Sequence, residues 1–255
     1  MNYDRFLVPF LLMLLASATD AQEGGSETSG YSAPRDDYGA PDLRGIWQAV
    51  NSAVWNLEAH PAELGIPAGR SVVVGGEIPY LPSALERRQE NYENRLTEDP
   101  EAKCFMVGVP RANYMPYPFQ IVQTEDQVTI LYEYVHAVRP IYIGSEHPQG
   151  PIQWWMGDSR AHWEGETLVV DVTHFTDQTW LDRSGNYHTD ALHVVERYTR
   201  TGPDHLLYEA TIEDPNVYSR PWQIRMPLYR RVEQHAELLD YECYAFLEEA
   251  RDAAL

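Results

Sequence analysis

From Phe119 to the end of the chain's last long alternating run, side-chain character repeats with a period of two, and this restricts the fold more than any other feature. One run places Val128, Ile130, Tyr132, Tyr134 and His136 on one parity, and another does the same with Leu168, Val170, Val172 and His174. Leu206, Tyr208, Ala210 and Ile212 make a third set, and Trp222, Ile224, Met226 and Leu228 a fourth. Successive side chains of a strand point to opposite faces, so each run has one apolar face and one polar face. Turn signals separate the runs: Glu125-Asp126, Gly165-Glu166 and Thr201-Gly202-Pro203-Asp204. The runs from FQIVQT to AELLDYECY predict about nine strands with no helical pattern between them. Such spacing describes an all-β antiparallel meander that closes into a barrel or, alternatively, folds as a β-sandwich.

Upstream the text is less regular. Short strands are expected near Ile46–Val50 and Ser71–Val74. Ser83 to Glu86 reads as a capping box, and the formers that follow predict a helix over 83–96, stopped by Asp99-Pro100. Its apolar stripe is narrow, as for an appendage on the core. FLEEARDAAL predicts a short C-terminal helix. Residues 42–255 therefore read as one barrel domain carrying an N-terminal appendage.

The first residues, MNYDRFLVPFLLMLLASATDAQE, carry an apolar run too short to span a bilayer, followed by small residues. This predicts a signal peptide over 1–21, cleaved after Ala18 or Ala21, and hence an exported protein, periplasmic or secreted. Residues 22–41, rich in Gly, Ser and acids, read as a flexible leader. No later stretch is long and apolar enough to span a membrane. The net charge is −20 and Lys103 is the only lysine, a balance that repels phosphate backbones and argues against nucleic-acid partners. In an oxidising compartment the two cysteines, Cys104 and Cys243, are expected to form a disulfide.

The phrases DPEAKCFMVGVPRANYMPYPFQIVQT, WWMGDSRAHWEGETLVVDVTHF, TWLDRSGNYHTDALHVVERYTR and YEATIEDPNVYSRPW resemble a large family of exported, β-rich bacterial proteins of unassigned function. The resemblance spans roughly residues 41 to 245 and implies a lipocalin-like barrel, with no catalytic assignment to carry over. Many relatives end in a Cys-His-Glu-Gly-Asn type of phrase where this chain has CYAFLEEA.

The candidate site residues follow from parity. His136 and His174 share the inward face of their strands, and Glu196 lies between Val194 and Tyr198 on another. An inward histidine is often a satisfied core residue, but its pKa also suits a general base. A buried carboxylic acid can serve as a proton donor. Arg139 or Arg197 is expected to orient a ligand's polar end, with Tyr132, Tyr134, Tyr208 and Trp222 lining a cavity and Trp180 and His188 its entrance. Asp158, Arg160, His162 and Glu164 share a strand face that is either a charge relay or a solvated surface. His188, His193 and Glu196 match no zinc spacing, so no metal is expected, and residues 181–190 read as a capped polar loop at one barrel end. No P-loop, dinucleotide fingerprint, nucleophile elbow or HExxH occurs, and no cofactor is expected. Two readings follow. One is an enzyme of lyase, hydratase, isomerase or cyclase type, performing cofactor-independent acid–base chemistry on a largely apolar or aromatic small molecule. The other is a non-catalytic carrier of such a molecule. A completely filled barrel would favour a third, an envelope component with no ligand.

Overall fold

The computed structural model describes residues 30–63 and 65–252. The expected signal segment, and the leader up to residue 29, lie outside the described residues.

Nine strands form a closed barrel in sequence order. They are β1 (Gly45–Ala49), β2 (Phe119–Gln123), β3 (Gln127–Tyr132), β4 (Val138–Ile143), β5 (Asp158–Glu164), β6 (Thr167–Thr173), β7 (His193–Gly202), β8 (His205–Glu213) and β9 (Trp222–Arg230). The all-β barrel expected from the alternation is therefore present, with two differences in how it closes. AELLDYECY forms no strand; adjacent Leu238 and Leu239 break the alternation there. The closing strand is instead β1, which pairs with β2 through Trp47↔Phe119 and with β9 through Ala49↔Leu228. The expected strand at Ser71–Val74 is reduced to a single bridge, Val73↔Ile224, which continues the ladder along β9 beyond the short β1.

The second difference is one parallel seam. Every neighbouring pair is antiparallel except β4 and β5, which meet only at Tyr142↔Arg160 and Ile143↔Ala161. The connecting segment GSEHPQGPIQWWMG is broken by Gly144, Pro148, Gly150 and Pro151, so it makes a long crossover rather than a hairpin. Parallel neighbours require such a crossover. It returns the chain along the outside of the barrel before β5 begins.

The inward parity read from the sequence holds within the strands. Val128, Ile130, Leu168, Val170, Val172, Val194, Leu206, Tyr208, Ile212, Ile224 and Leu228 are all buried. Among the described residues, side chains pack the barrel interior where a continuous apolar cavity is expected. The void lined by Met115, Tyr132, Ala137 and Met156 amounts to about 10 Å³, about the least that holds one water.

Plugs at both ends help to fill it. The turn Arg111–Tyr114, fully buried, enters the end opposite the tight hairpins. Arg111 anchors it with two bonds to Asp99, 2.8 and 2.9 Å long. At the hairpin end, residues expected to be leader are packed instead. Asp36 accepts from the Tyr38 and Ala40 N–H groups, both at 2.9 Å, and from Gln123 Nε2 at 2.7 Å.

The expected helix over 83–96 is shorter and broken. A 3₁₀ turn at Pro82–Ala84 leads into α1 (Leu85–Glu93), and α2 (Arg95–Glu98) follows after Asn94. The capping box does not form: Ala84 is the N-cap, with no side-chain bond. No residue of α1 is buried, as befits an appendage. The expected C-terminal helix is α3 (Cys243–Asp252), and it starts at the disulfide Cys104–Cys243. No helix among the described residues is long and apolar enough to cross a membrane.

Candidate functional site

Glu196 sits at the centre of the barrel with no exposure, inside a ring of donors. Its Oε1 accepts from Asn113 Nδ2 at 2.8 Å, Tyr208 Oη at 2.8 Å, Tyr198 Oη at 3.1 Å and Arg139 Nη1 at 3.2 Å. Arg139 Nη2 donates to Oε2, completing a bidentate pair. Tyr132 Oη donates to Asn113 Oδ1 at 2.8 Å, so the plug and four strands, β3, β4, β7 and β8, share one polar network. Burial beside this carboxylate drives the Tyr198 and Tyr208 phenols well above their usual range, and the same carboxylate raises the Arg139 guanidinium further. Both oxygens of this unexposed carboxylate are thus hydrogen-bonded within the protein, Oε1 to four donors and Oε2 to Arg139.

The two histidines expected beside it lie elsewhere. β3 ends at Tyr132, and Val135 and His136 both take left-handed backbone (φ 49° and 52°), which turns His136 out of the barrel. It is half exposed and meets Glu242 at 3.2 Å. His174, one residue past β6, has φ 61° and likewise leaves the inward face. Its Nδ1 lies 2.8 Å from Thr173 Oγ1, and its ring packs on His147 and Trp154. The expected trio of His136, His174 and Glu196 is thus not assembled.

Among the expected ligand contacts, Tyr132 and Tyr208 are consumed by the Glu196 network. Tyr134 points to the 3₁₀ turn at Pro100–Lys103 and the residues after it, where its hydroxyl donates to the Glu101 and Phe105 carbonyls, each at 3.3 Å. Trp222 is buried against Tyr218, its Nε1 without a partner. Arg197 faces outward and pairs with Glu164 at 2.9 Å. Trp180 and His188 flank the Asp182–Asn186 turn within the 181–190 loop, but they are packed rather than lining an entrance. His188 Nε2 lies 2.6 Å from Thr179 Oγ1 and Nδ1 is 2.8 Å from the Thr189 carbonyl, while burial holds its pKa below the usual value. This is a neutral core histidine.

Asp182 caps that loop. It accepts from the Leu57, Ser184 and Asn186 N–H groups and from Asn186 Nδ2, at 2.6 to 3.2 Å. Burial pushes its carboxyl from 3.8 up to about 6, against the pull of those donors and Arg111. The folded state therefore binds this proton more tightly than the unfolded chain. That contribution is complete below the unfolded value and lost as pH rises from about 4 to 6. Relative to Asp182→Asn, wild type is expected to lose about 3 kcal/mol of stability over that window. Urea unfolding at several pH values measures the difference, and a flat difference would refute it.

At the seam between β4 and β5 a cleft borders the buried network. Below Tyr142↔Arg160 the strands separate, and Pro140 has no N–H to bridge the gap. A cleft of about 490 Å³ results, walled by Pro140, Tyr142, Pro148, Trp154, Trp155 and Met156. Arg139 and Ser159 form its floor. Arg139 Nε donates to Ser159 Oγ at 3.0 Å, which orients the hydroxyl and leaves its own proton available to an acceptor in the cleft. Asp158 and Arg160 edge the opening, with Arg160 over the Tyr142 ring at 4.8 Å. Ser159, Trp154 and Trp155 escaped the sequence reading, which weighed the charged residues of WWMGDSRAHWEGE over its tryptophans. Adjacent tryptophans in a Gly- and Pro-rich crossover were the available signal. Among the described residues, no three His, Cys, Asp or Glu side chains are placed to hold a metal ion.

No protein-family model matches the chain, and no curated protein matches it. Among solved structures, a point mutant of the fluorescent protein UnaG matches with a TM-score of 0.34 and 12% sequence identity, over 75% of this chain and 97% of that one.

Proposed function

We propose that the protein is an exported binding protein that holds a flat, largely aromatic small molecule in the β4–β5 cleft without turning it over. The observation that carries this reading is the split seam, where an aromatic-walled cleft reaches a buried hydroxyl and guanidinium. Its volume lies in the range of small-molecule sites, and the combination of apolar walls with few polar groups is their usual chemistry. Trp154, Trp155 and Tyr142 supply faces for stacking, and Ser159 Oγ supplies one donor for an acceptor at the ligand's deep end. The occupied Glu196 and the outward His136 and His174 favour binding over acid–base catalysis. Export is supported by the Cys104–Cys243 disulfide, which suits an oxidising compartment, and by the N-terminal sequence pattern. The resemblance to exported β-rich bacterial proteins belongs to the same proposal.

Binding of anilinonaphthalene sulfonate, an aromatic probe whose sulfonate supplies the acceptor, tests the site by fluorescence titration. Trp155→Ala is expected to weaken the probe by about tenfold or more, the loss of one stacking face. Tyr208→Phe, inside the filled barrel, should leave affinity within about twofold. Equal affinity in wild type and Trp155→Ala would place the probe outside the cleft and overturn the assignment.

A further inference from the structure

The crossover that walls the cleft is held by a chain of charges that ligand binding leaves unused. From β5, Arg160 Nε donates to Asp158 Oδ1 at 2.6 Å and Nη2 to Oδ2 at 2.8 Å. His147, on the crossover, lies between two carboxylates. Its Nδ1 is 2.6 Å from Asp158 Oδ1, and its Nε2 is 2.8 Å from Asp171 Oδ1 of β6. The second oxygen of Asp171 is 2.8 Å from His193 Nε2, on β7. Thr173 Oγ1 lies 3.2 Å from His147 Nδ1, and the His174 ring is 5.9 Å away. A neutral imidazole offers one N–H and one lone pair, so only the imidazolium donates to both carboxylates. Once neutral, the ring turns a lone pair toward a carboxylate oxygen.

The crossover is also pinned at its far end. Trp154 N–H donates to the His174 carbonyl at 2.8 Å, and its carbonyl accepts from Thr176 N–H at 3.2 Å. Between His147 and Trp154 the residues are mostly exposed. Two contacts, each with one neutral partner, also hold the crossover: Arg160 Nη1 donates to Ser145 Oγ and Gln153 Nε2 to Asp190 Oδ2, both at 3.0 Å. His147 is the titratable anchor next to Pro148, where the outer wall of the cleft begins.

We propose that His147 is a proton-operated latch on the cleft: its imidazolium ties the crossover to β5 and β6, and loss of the proton frees the outer wall and releases the bound molecule. The latch stands on its own geometry; its effect on a ligand rests on the binding reading above. The charged form holds the wall, so retention is stronger in mildly acidic than in mildly alkaline solution. Asp171 raises the His193 ring above its usual value, so His193 titrates beside it, and a substitution at His147 that leaves the Asp171–His193 pair intact is the decisive variant.

Amide exchange of the segment 144–154, whose Gly144 and Trp154 N–H groups donate to the Ala161 and His174 carbonyls at 2.9 and 2.8 Å, corrected for the intrinsic effect of pH, reads the latch without any ligand. In wild type its protection should fall by roughly tenfold between pH 5.5 and 8.5, the scale of one charge-assisted hydrogen bond. β8 serves as an internal reference and should not change. In His147→Gln, protection should be low and independent of pH. Unchanged protection in wild type, or the same pH response in His147→Gln, would overturn the latch. In parallel, anilinonaphthalene sulfonate should dissociate faster at pH 8.5 than at 5.5 from wild type only. A latch seen by exchange with no probe binding at either pH would remove the cleft reading and leave the latch standing. Probe bound in the cleft with a dissociation rate indifferent to pH would refute the latch's control of that site.

Discussion

Glu196→Gln is expected to lower the stability of the barrel by about 3–5 kcal/mol, because it leaves the Arg139 guanidinium buried without its counter-charge. The pair lies at 1% and 0% side-chain exposure, so solvent cannot replace the lost partner. The pair's own attraction is a poor guide to this cost, since two charges removed from water recover little more than their desolvation. What makes the single substitution severe is the charge that remains. The double variant Glu196→Leu with Arg139→Met removes both charges and should regain much of the loss. Recovery will be incomplete, because the Asn113, Tyr198 and Tyr208 donors lose their acceptor, at about 1–3 kcal/mol for each group left unsatisfied. Urea unfolding of the three proteins decides the matter. A Glu196→Gln protein within about 1 kcal/mol of wild type would mean that water or a rearranged side chain reaches Arg139, and the anchoring role would fall.

The same residue shows how far the sequence could be read. Placing Glu196 inside required only that Val194 and Tyr198 flank it two residues away, and alternation is reliable while a strand lasts. Its role needed a count of donors, and those come from Asn113, Arg139, Tyr198 and Tyr208, separated from it by 2 to 83 positions. His136 and His174 fail for one shared reason. Both were placed by extending a two-residue period past the end of a strand, and both backbones turn left-handed there. Val135 hides the break at His136, because a β-branched residue seldom adopts that conformation and so gives no warning of it.

The closing of the barrel was partly legible. Hairpins at Glu125-Asp126, Gly165-Glu166 and residues 201–204 follow from their turn residues. The parallel seam does not, although Gly150-Pro151 within a long connection already argued against a tight hairpin. Binding chemistry was assigned to the barrel's interior because an alternating apolar face suggests a cavity. Whether such a face encloses space or fills it depends on what plugs the ends, and the plug at Arg111–Tyr114 carries no strand pattern to reveal it. The cleft instead lies where the ladder breaks, beside Asp158 and Arg160, whose strand face the alternation leaves open between a charge relay and a solvated surface.

Cys104→Ser with Cys243→Ser is expected to cost up to about 4–5 kcal/mol in the chain-entropy model, because the bridge closes a very long loop in the unfolded chain. The sequence separation is 139 residues and includes β2 through β9, so nearly the whole barrel lies inside the cross-link. Native contacts around the bridge temper this figure. Residues 231–240 are mostly exposed, and the C-terminal segment docks chiefly through Tyr241 on Tyr117 and Tyr134, with ring centroids 4.6 and 5.6 Å apart. Without the bridge, that segment gains freedom in the folded state as well, and part of the unfolded-state entropy is offset. The two contributions separate experimentally. Global stability from urea unfolding should drop by at least about 2 kcal/mol, while amide exchange in 231–252 should rise before any change appears in β7 and β8. A global loss below about 1 kcal/mol, with exchange raised only in the tail, would show that the bridge fastens the C-terminus and does little for the barrel.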